Sequence, residues 1–323
     1  MVASRVPGIV RQRAQLALDT RDSIGEQPLW DAVKQRLLWC DNAIGVIHEA
    51  KSDQQGGWYE SRRWTLGKHI GAAIPRAAGG LVVMIGAELV KLDDDGNITP
   101  FARFDADPNL TVPNDARCDA RGRLWAGTFG ADLLGASGNV AAPRGALYRI
   151  DADGTVATML EDVTLANGLD WSPDSSTLYF IDSHLLSVDA FDFDLARGEI
   201  SNRRNVVTIN RGEGMPDGMT VDSEGCLWVA VLGSGEVRRY TPDGVELSRV
   251  EISASGVTSC GFGGPDRADL FITSASVRLP AATIAMYGFT VAMAESAATA
   301  PGAGGLFTCR PGVAGQPLTP FAG

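Results

Sequence analysis

Short apolar doublets separated by polar turns recur along the chain at a nearly constant interval of 42 to 54 residues. The runs around them are rich in Val, Leu, Ile, Trp and Tyr and are bounded by Asp, Gly, Pro or Ser, which is typical of β-hairpins. A period of about 40 to 50 residues built from short strands favours a β-propeller with one four-stranded blade per repeat. The pattern therefore predicts an all-β, six-bladed β-propeller, with residues 1–323 as a single domain. The doublets are Leu38-Trp39, Val82-Val83, Leu124-Trp125, Leu178-Tyr179, Leu227-Trp228 and Leu270-Phe271.

The two ends of such a ring and two irregular segments need separate explanations. A ring of blades has open edges unless its ends are joined, and we expect an N-terminal strand near residues 15–19 to close the last blade. The repeat is interrupted by a Gly- and Ala-rich insertion at 130–144 and by a longer one at 277–305, which has room for a helical turn or more. Long loops in a compact domain tend to be functional or mobile. Surface decoration and a substrate lid both remain open for these insertions.

An acidic or amide residue precedes four of the doublets by 10 to 12 positions, as Glu26, Asn114, Asn167 and Asp217. Each alone is explained well enough as a turn residue or a solvated charge. Turn chemistry does not explain why all four stand at nearly the same distance before a doublet. Equivalent positions of the inner strands converge on the central channel of a propeller. We therefore predict that the four side chains meet there as a metal site on the central axis. The two remaining repeats place small residues at this phase, Gly71 or Ala72 and Ser259 or Cys260.

The residue types of this set constrain the ion. Two carboxylates and two amide oxygens are hard donors, and they favour Ca²⁺, Mg²⁺ or Mn²⁺ over a tetrahedral Zn²⁺ site. The prediction is one divalent cation, with Ca²⁺ as first choice and Mg²⁺, Mn²⁺ or Zn²⁺ as alternatives. Four protein donors leave coordination positions for water and substrate, and the bound ion polarises a carbonyl.

Composition excludes several other classes of function. The formal net charge of −11 and a pI near 4.8 argue against nucleic acid and anionic membrane surfaces as partners. No apolar stretch approaches membrane-span length and the N-terminus does not resemble a secretory signal. Five scattered cysteines, odd in number, fit reduced thiols, and we expect a cytoplasmic protein of undetermined oligomeric state. No nucleophile elbow, Walker loop or dinucleotide fingerprint is present, and the three histidines, His48, His69 and His184, lie in no zinc or nucleophile motif.

Several segments carry a family resemblance. The chain resembles the regucalcin (senescence marker protein), gluconolactonase and luciferin-regenerating enzyme family over about residues 20 to 275. The resemblance implies a six-bladed propeller with one axial divalent cation that hydrolyses sugar-acid lactones; some relatives cleave organophosphates. It implies Glu26, Asn167 and Asp217 as metal ligands and Asn114 as a residue that contacts the metal region and the substrate. The matching segments are GEQPLWD, PNDARCDARGRLWAGT, NGLDWSPDSSTLYFIDS, VDAFDFDLARGEISNRR, PDGMTVDSEGCLWVA and TSCGFGG.

Three features of the sequence concern the substrate, and two of them depart from the family pattern. Sugar lactonases of this family often carry an arginine two residues before the asparagine, where it reaches substrate hydroxyls, but this chain has Val112. Asp132 falls near another polar substrate contact of some members. The insertion after Ser276 is longer and more apolar than in vertebrate members. Val112, Asp132 and Asn114 are thus the candidate substrate-binding residues, and a more apolar lactone or another ester remains open.

The sequence therefore predicts a divalent-metal-dependent lactonase acting on a small molecule. Asp217 and Asn114 are the candidate catalytic residues: Asp217 takes a proton from the attacking water and returns it to the leaving alkoxide, and Asn114 helps to hold the water. In a variant of this mechanism the cation activates the water and Asp217 only orients it. An esterase or organophosphate hydrolase using the same site, and a non-enzymatic calcium-binding protein, are the alternatives.

Overall fold

The computed structural model describes residues 9–53, 55–107, 109–131, 144–278, 288 and 290–323. Its strands, in chain order, are β1 (Val10–Arg13), β2 (Gln15–Leu18), β3 (Gly25–Asp31), β4 (Arg36–Asp41), β5 (Val46–Ser52), β6 (Trp58–Thr65), β7 (Ile70–Pro75), β8 (Leu81–Ile85), β9 (Glu88–Leu92), β10 (Ile98–Arg103), β11 (Thr111–Cys118), β12 (Leu124–Gly130) and β13 (Gly145–Ile150). They continue with β14 (Val156–Val163), β15 (Ala166–Trp171), β16 (Thr177–Asp182), β17 (Ser187–Asp194), β18 (Glu199–Thr208), β19 (Met215–Val221), β20 (Leu227–Leu232), β21 (Glu236–Tyr240), β22 (Glu246–Glu251), β23 (Val257–Gly263), β24 (Asp269–Ser274) and β25 (Leu306–Cys309). One helix is described, α1 (Val291–Thr299).

The strands form six separate sheets, and this confirms the six-bladed propeller. Blades 1 to 4 are the consecutive antiparallel runs β3–β6, β7–β10, β11–β14 and β15–β18. Blades 5 and 6 begin with β19 and β23. The first strand of each blade contacts the first strand of the next, and β23 contacts β3, so the six inner strands form a closed ring.

The apolar doublets lie on the second strand of each blade, and none of their residues is more than 4% exposed. Three of them end in a tryptophan whose indole N–H donates to a buried aspartate: Trp39 to Asp22, Trp125 to Asp119, and Trp228 to Asp222. A buried indole usually needs such a partner. The repeat visible in the sequence is thus the packing layer between adjacent blades.

The N-terminal segment joins the last two blades. β2 pairs antiparallel with β25 and supplies the outer strand of blade 6, at the place expected for residues 15–19. β1 pairs in parallel with β22, so blade 5 has five strands. This second pairing was not predicted from the sequence.

The C-terminal segment crosses the end of the propeller where the first and second strands of the blades are connected. Its amides and carbonyls bond to blades 6, 5, 3 and 2, and the Gln316 side chain donates to Trp171 O of blade 4. Phe321 is fully buried between blades 2 and 3. The candidate metal residues stand near the starts of the inner strands, at the opposite end.

The strands that flank both insertions meet them at the end of the propeller that carries the candidate metal residues. Most of the first one, 132–143, and residues 279–287 and 289 of the second lie outside the described residues. Helix α1 belongs to the second insertion: Thr290 caps its N-terminus, and Ser255 donates a hydrogen bond to Met293 O. No helix in the described part of the chain is long and apolar enough to cross a membrane. All five cysteines are free.

Candidate metal centre

A β-bulge interrupts every inner strand close to its start. The pairing register shifts between Pro113 and Ala116, between Ala166 and Leu169, and between Pro216 and Met219. Bulges leave residues unpaired and re-aim their side chains. The residues left unpaired include Asn114, Asn167 and Asp217, while Glu26 is the last paired residue before the shift in β3. Each of these four residues is at most 9% exposed.

The other two blades have no carboxylate or amide side chain at this position. In β7 the shift falls between Ile70 and Ala73, at the predicted small residues Gly71 and Ala72. In β23 the shift falls between Val257 and Ser259, so the unpaired residue is Thr258. The predicted small residue Ser259 directly follows this bulge. The hydroxyl of Thr258 donates its proton to Gly25 O, so this proton takes part in a hydrogen bond within the propeller.

Hydrogen bonds fix the orientation of the two amides. Asn114 Nδ2 donates to Asn167 Oδ1 at 2.6 Å and to Ala166 O at 2.7 Å. Asn167 Nδ2 donates to Ser183 Oγ at 2.7 Å, and Ser183 Oγ donates to Pro216 O at 2.6 Å. Because both N–H₂ groups bond to the protein, the amide oxygens are the atoms that remain as electron-pair donors. No described residue donates a hydrogen bond to Asn114 Oδ1.

Three buried carboxyl groups repel one another in the same region. Burial raises the pKa of Glu26 well above its ordinary value, and the charges of Asp217 and Asp115 raise it further. Burial and the charge of Asp115 likewise raise the pKa of Asp217. Burial raises the pKa of Asp115 to about 7, although Arg117 and a hydrogen bond from Gln27 oppose the shift. A bound divalent cation would offset the electrostatic repulsion between these carboxylates.

The donor set fits a hard divalent cation. Glu26 and Asp217 supply two carboxylates, Asn114 and Asn167 supply two amide oxygens, and none of the described residues donates a side-chain hydrogen bond to the Asp217 carboxylate. Oxygen donors of this kind suit Ca²⁺, Mg²⁺ or Mn²⁺. Among the described residues, no three His, Cys, Asp or Glu side chains could hold a metal ion by themselves, so the candidate centre depends on its two amides.

Two residues of this region were not singled out by the sequence. Ser183 is fully buried and links Asn167 to the backbone next to Asp217. Asp115 follows Asn114 in the same bulge, and its Oδ1 has no hydrogen-bond partner among the described residues. Both stand inside segments that carry the family resemblance, PNDARCD and YFIDS, but no spacing rule marks them. Their involvement depends on contacts between blades.

The candidate substrate residues have different positions. Val112 is half-buried, pairs with Phe129 and lies two residues before Asn114. Asp132 lies outside the described residues, and so does its predicted contact. His69 was not assigned a role, but its Nε2 lies 3.1 Å from Pro113 O, beside the candidate centre. Burial lowers the pKa of His69 despite that bond, which favours a neutral ring.

Comparisons with known proteins agree on one family. The family model described as SMP-30/gluconolactonase/LRE-like region matches residues 24–276. Regucalcin of Danio rerio is 36% identical over 275 residues, 84% of this chain and 90% of the relative. The structure of a luciferin-regenerating enzyme aligns with a TM-score of 0.82 at 29% identity, over 96% of this chain and 99% of that one. A calcium-binding regucalcin from Agrobacterium tumefaciens aligns with a TM-score of 0.80 at 24% identity, over 97% and 98%, and shows the fold alone. With its six blades and a family match over most of its length, the chain belongs to the SMP-30/gluconolactonase/LRE-like family.

Proposed function

We propose that this protein is a divalent-metal-dependent lactonase. The observation that carries the proposal is the buried set of two carboxylates and two amides on four inner strands, at one end of the channel. Membership in a family named for gluconolactonase supports the reaction class. Catalytic centres commonly gather buried carboxyl groups with raised pKa values.

Glu26, Asn167 and Asp217 would hold the cation, with Asn114 at the border between the cation and the substrate. Bound there, a divalent cation would polarise the lactone carbonyl and stabilise the negative charge that develops on its oxygen. The hydrogen bond from Asn114 Nδ2 to Asn167 Oδ1 fixes the orientation of the two amides relative to each other. Ser183 locks the second amide through its bond to Pro216 O. Polar groups that are already oriented before the reaction stabilise the charge of the transition state most effectively.

Proton transfer is the role we propose for Asp217. Its carboxylate is buried and accepts no hydrogen bond from a described residue, so its lone pairs are available to the attacking water. Asp217 would accept the proton of that water and return it to the oxygen that leaves as the ring opens. The amide oxygen of Asn114 would accept the second hydrogen bond of the water and fix its direction.

The test is hydrolysis of a lactone panel by chelator-stripped protein with Ca²⁺, Mg²⁺, Mn²⁺ or Zn²⁺ added back. We expect turnover only after metal is restored. Asp217→Asn should lower kcat by about 10² to 10⁴, the usual contribution of a general base. Glu26→Gln should weaken metal binding. The exposed carboxylate Glu88, 52% exposed in its side chain, provides the matched control Glu88→Gln, which should retain both properties.

A second measurement reports on the centre without turnover. Glu26→Gln removes one of the mutually repelling buried charges, so the metal-free variant should melt above the metal-free wild type. The same variant should lose most of the increase in melting temperature that added metal gives the wild type. Metal-loaded protein that is inactive on every lactone but hydrolyses aryl esters or phosphotriesters would overturn the lactonase proposal in favour of those reactions. Tight metal binding without any turnover would favour a calcium-binding role.

A further inference from the structure

A cluster of apolar side chains on blades 4 and 5 lies close to the candidate site. Met215, two residues before Asp217, pairs with Leu232 of the neighbouring strand. These two are buried, and three half-buried apolar side chains pack against them. We call this cluster the apolar wall. It consists of Met215 at the start of β19, Leu232 at the end of β20, Leu165 just before β15, Leu186 between β16 and β17, and Met293 of helix α1.

The same chemistry recurs at the equivalent position of the other donor-bearing blades. Leu165 lies two residues before Asn167, Val112 two residues before Asn114, and Ile24 two residues before Glu26. All three are half-buried. Each of the four donors therefore has an apolar residue two positions earlier in the chain, toward the end of the propeller where the inner strands begin.

Leu186 of the apolar wall has an unusual backbone conformation. Its φ of 55° places it in the left-handed region, at the end of the single 3₁₀ turn Ser183–Leu185. Glycine or asparagine adopts this conformation more readily than leucine. Such strain at a site is a reason to ask what the side chain does there. Here it places a leucine three residues after Ser183, which is bonded to Asn167.

Exposed apolar side chains also occur at this end of the propeller. Leu185 is 50% exposed and Val291, at the start of α1, is 67% exposed. Leu110, just before β11, and Ile44, between β4 and β5, are also exposed. These positions lie in connections at the end of the propeller where the inner strands begin. A substrate would reach the candidate centre past apolar side chains.

We propose that the substrate is an uncharged lactone with an alkyl or aryl substituent that lies against the apolar wall. This inference rests on the proposed lactonase function and specifies its substrate class. A sugar-acid lactone carries several hydroxyl groups, and each one buried against these side chains would lose hydrogen bonds to water without replacement. An alkyl chain would gain from the same surface.

The test uses γ-lactones whose alkyl substituent grows by one methylene at a time, compared with glucono-δ-lactone. We expect kcat/KM to rise about fourfold per added methylene until the wall is covered, and the longer alkyl lactones to exceed glucono-δ-lactone by at least tenfold. Unreactive cyclic ketones with the same substituents are titrated in parallel by calorimetry. Their affinity should rise with chain length in the same way, and this measurement does not depend on catalysis.

Two variants connect the effect to the wall. Leu186→Asn suits the left-handed backbone and Met293→Gln changes a half-buried helix position, so both should fold. Each should reduce the dependence on chain length, in both kcat/KM and ketone affinity. Val33→Ser, at a 91% exposed residue in a connection at the opposite end, should leave it unchanged.

The outcomes separate this inference from the proposed function. Chain-length dependence that the wall variants reduce supports the apolar substrate class. Chain-length-dependent ketone binding without hydrolysis of any lactone supports the apolar pocket and removes the lactonase function. Hydrolysis that favours glucono-δ-lactone, or ketone affinity that does not change with chain length, overturns the inference even if the lactonase function stands.

Discussion

At the scale of single residues, His48 lies buried between two carboxylates. Its ring stacks on Trp39 with centroids 4.7 Å apart, Nδ1 lies 2.6 Å from Glu60 Oε1, and Nε2 lies 3.1 Å from Asp22 Oδ1. Burial alone lowers the pKa of His48, but contacts with Asp22 and Glu60 raise it above its ordinary value overall. Arg63 also bonds to Glu60. The folded protein therefore holds a proton on His48 more tightly than the unfolded chain does.

This arrangement predicts a pH-dependent free energy of unfolding. A raised folded-state pKa contributes stability that is fully present below the ordinary histidine pKa of about 6.5 and is lost as pH rises through the folded value. The free energy of unfolding of the wild type, compared with that of His48→Gln, should therefore fall as pH rises through the folded-state pKa of His48. Urea denaturation at a series of pH values measures the difference. Glu60→Gln should reduce it, and identical pH profiles for wild type and His48→Gln would contradict the assignment.

At the scale of the element, the bulged inner strands place the candidate donors. The bulges free Asn114, Asn167 and Asp217 from strand pairing, and Glu26 is the last paired residue before the bulge of β3. Small residues let neighbouring strands approach. A Cβ added at Gly71 would lie 2.5 Å from Asn114 O and 2.9 Å from Asn114 N. β7, which carries no candidate metal ligand, thus supports Asn114 of the next blade through contact with its backbone.

Gly71→Ala tests this support. The new methyl group must push the backbone of Asn114, and we expect a loss of about 1 to 3 kcal/mol in unfolding free energy from overpacking. Metal affinity or activity should fall by roughly 10- to 100-fold, as when an outer contact of a metal site is lost. Gly57→Ala is the control, because its nearest neighbour is the Asp53 carboxylate at the end of a side chain. Unchanged metal affinity in Gly71→Ala would argue against the role of this contact.

At the scale of the whole molecule, the chain termini tie the ring together at two places. β1 and β2 join blades 5 and 6 through strand pairing. The C-terminal segment bonds to five blades at the end away from the candidate centre. Phe321 anchors it, with a T-shaped contact to Phe101 at 5.5 Å between ring centroids. Together these segments oppose the separation of blades that are distant along the sequence.

Phe321→Ala should therefore affect stability and not catalysis. Removing a fully buried phenylalanine costs about 3 to 5 kcal/mol, and calorimetry should show a lower melting temperature. kcat/KM per folded molecule should stay at the wild-type value, since the candidate centre lies at the other end of the channel. Val245→Ala, at a 55% exposed residue, should change stability by less than about 0.5 kcal/mol. A large loss of kcat/KM in folded Phe321→Ala protein would contradict this separation.

Several features were predictable because every blade repeats the same local arrangement of strands and turns. The doublets recur since every second strand packs between two neighbouring blades, so the period and the six-bladed fold followed from the sequence. The common phase of Glu26, Asn114, Asn167 and Asp217 was visible for the same reason. Their roles as ligands and catalytic groups stay predictions. So do the substrate contacts of Val112 and Asp132.

Other features depended on contacts between residues far apart in the chain, which leave no local pattern. The bulge of blade 6 falls on Thr258 because its register is set by pairing with β24. Ser183 bonds to Asn167 of its own blade and to Pro216 O of the next blade, and Asp115 acts on Glu26 and Asp217 across blades. The apolar wall likewise combines residues from five separate places in the chain. Sequence by itself determined the repeat, the family and the candidate donors, since these are properties of single blades; tertiary structure decided the orientation, the electrostatics and the surroundings of the site, since these arise between blades.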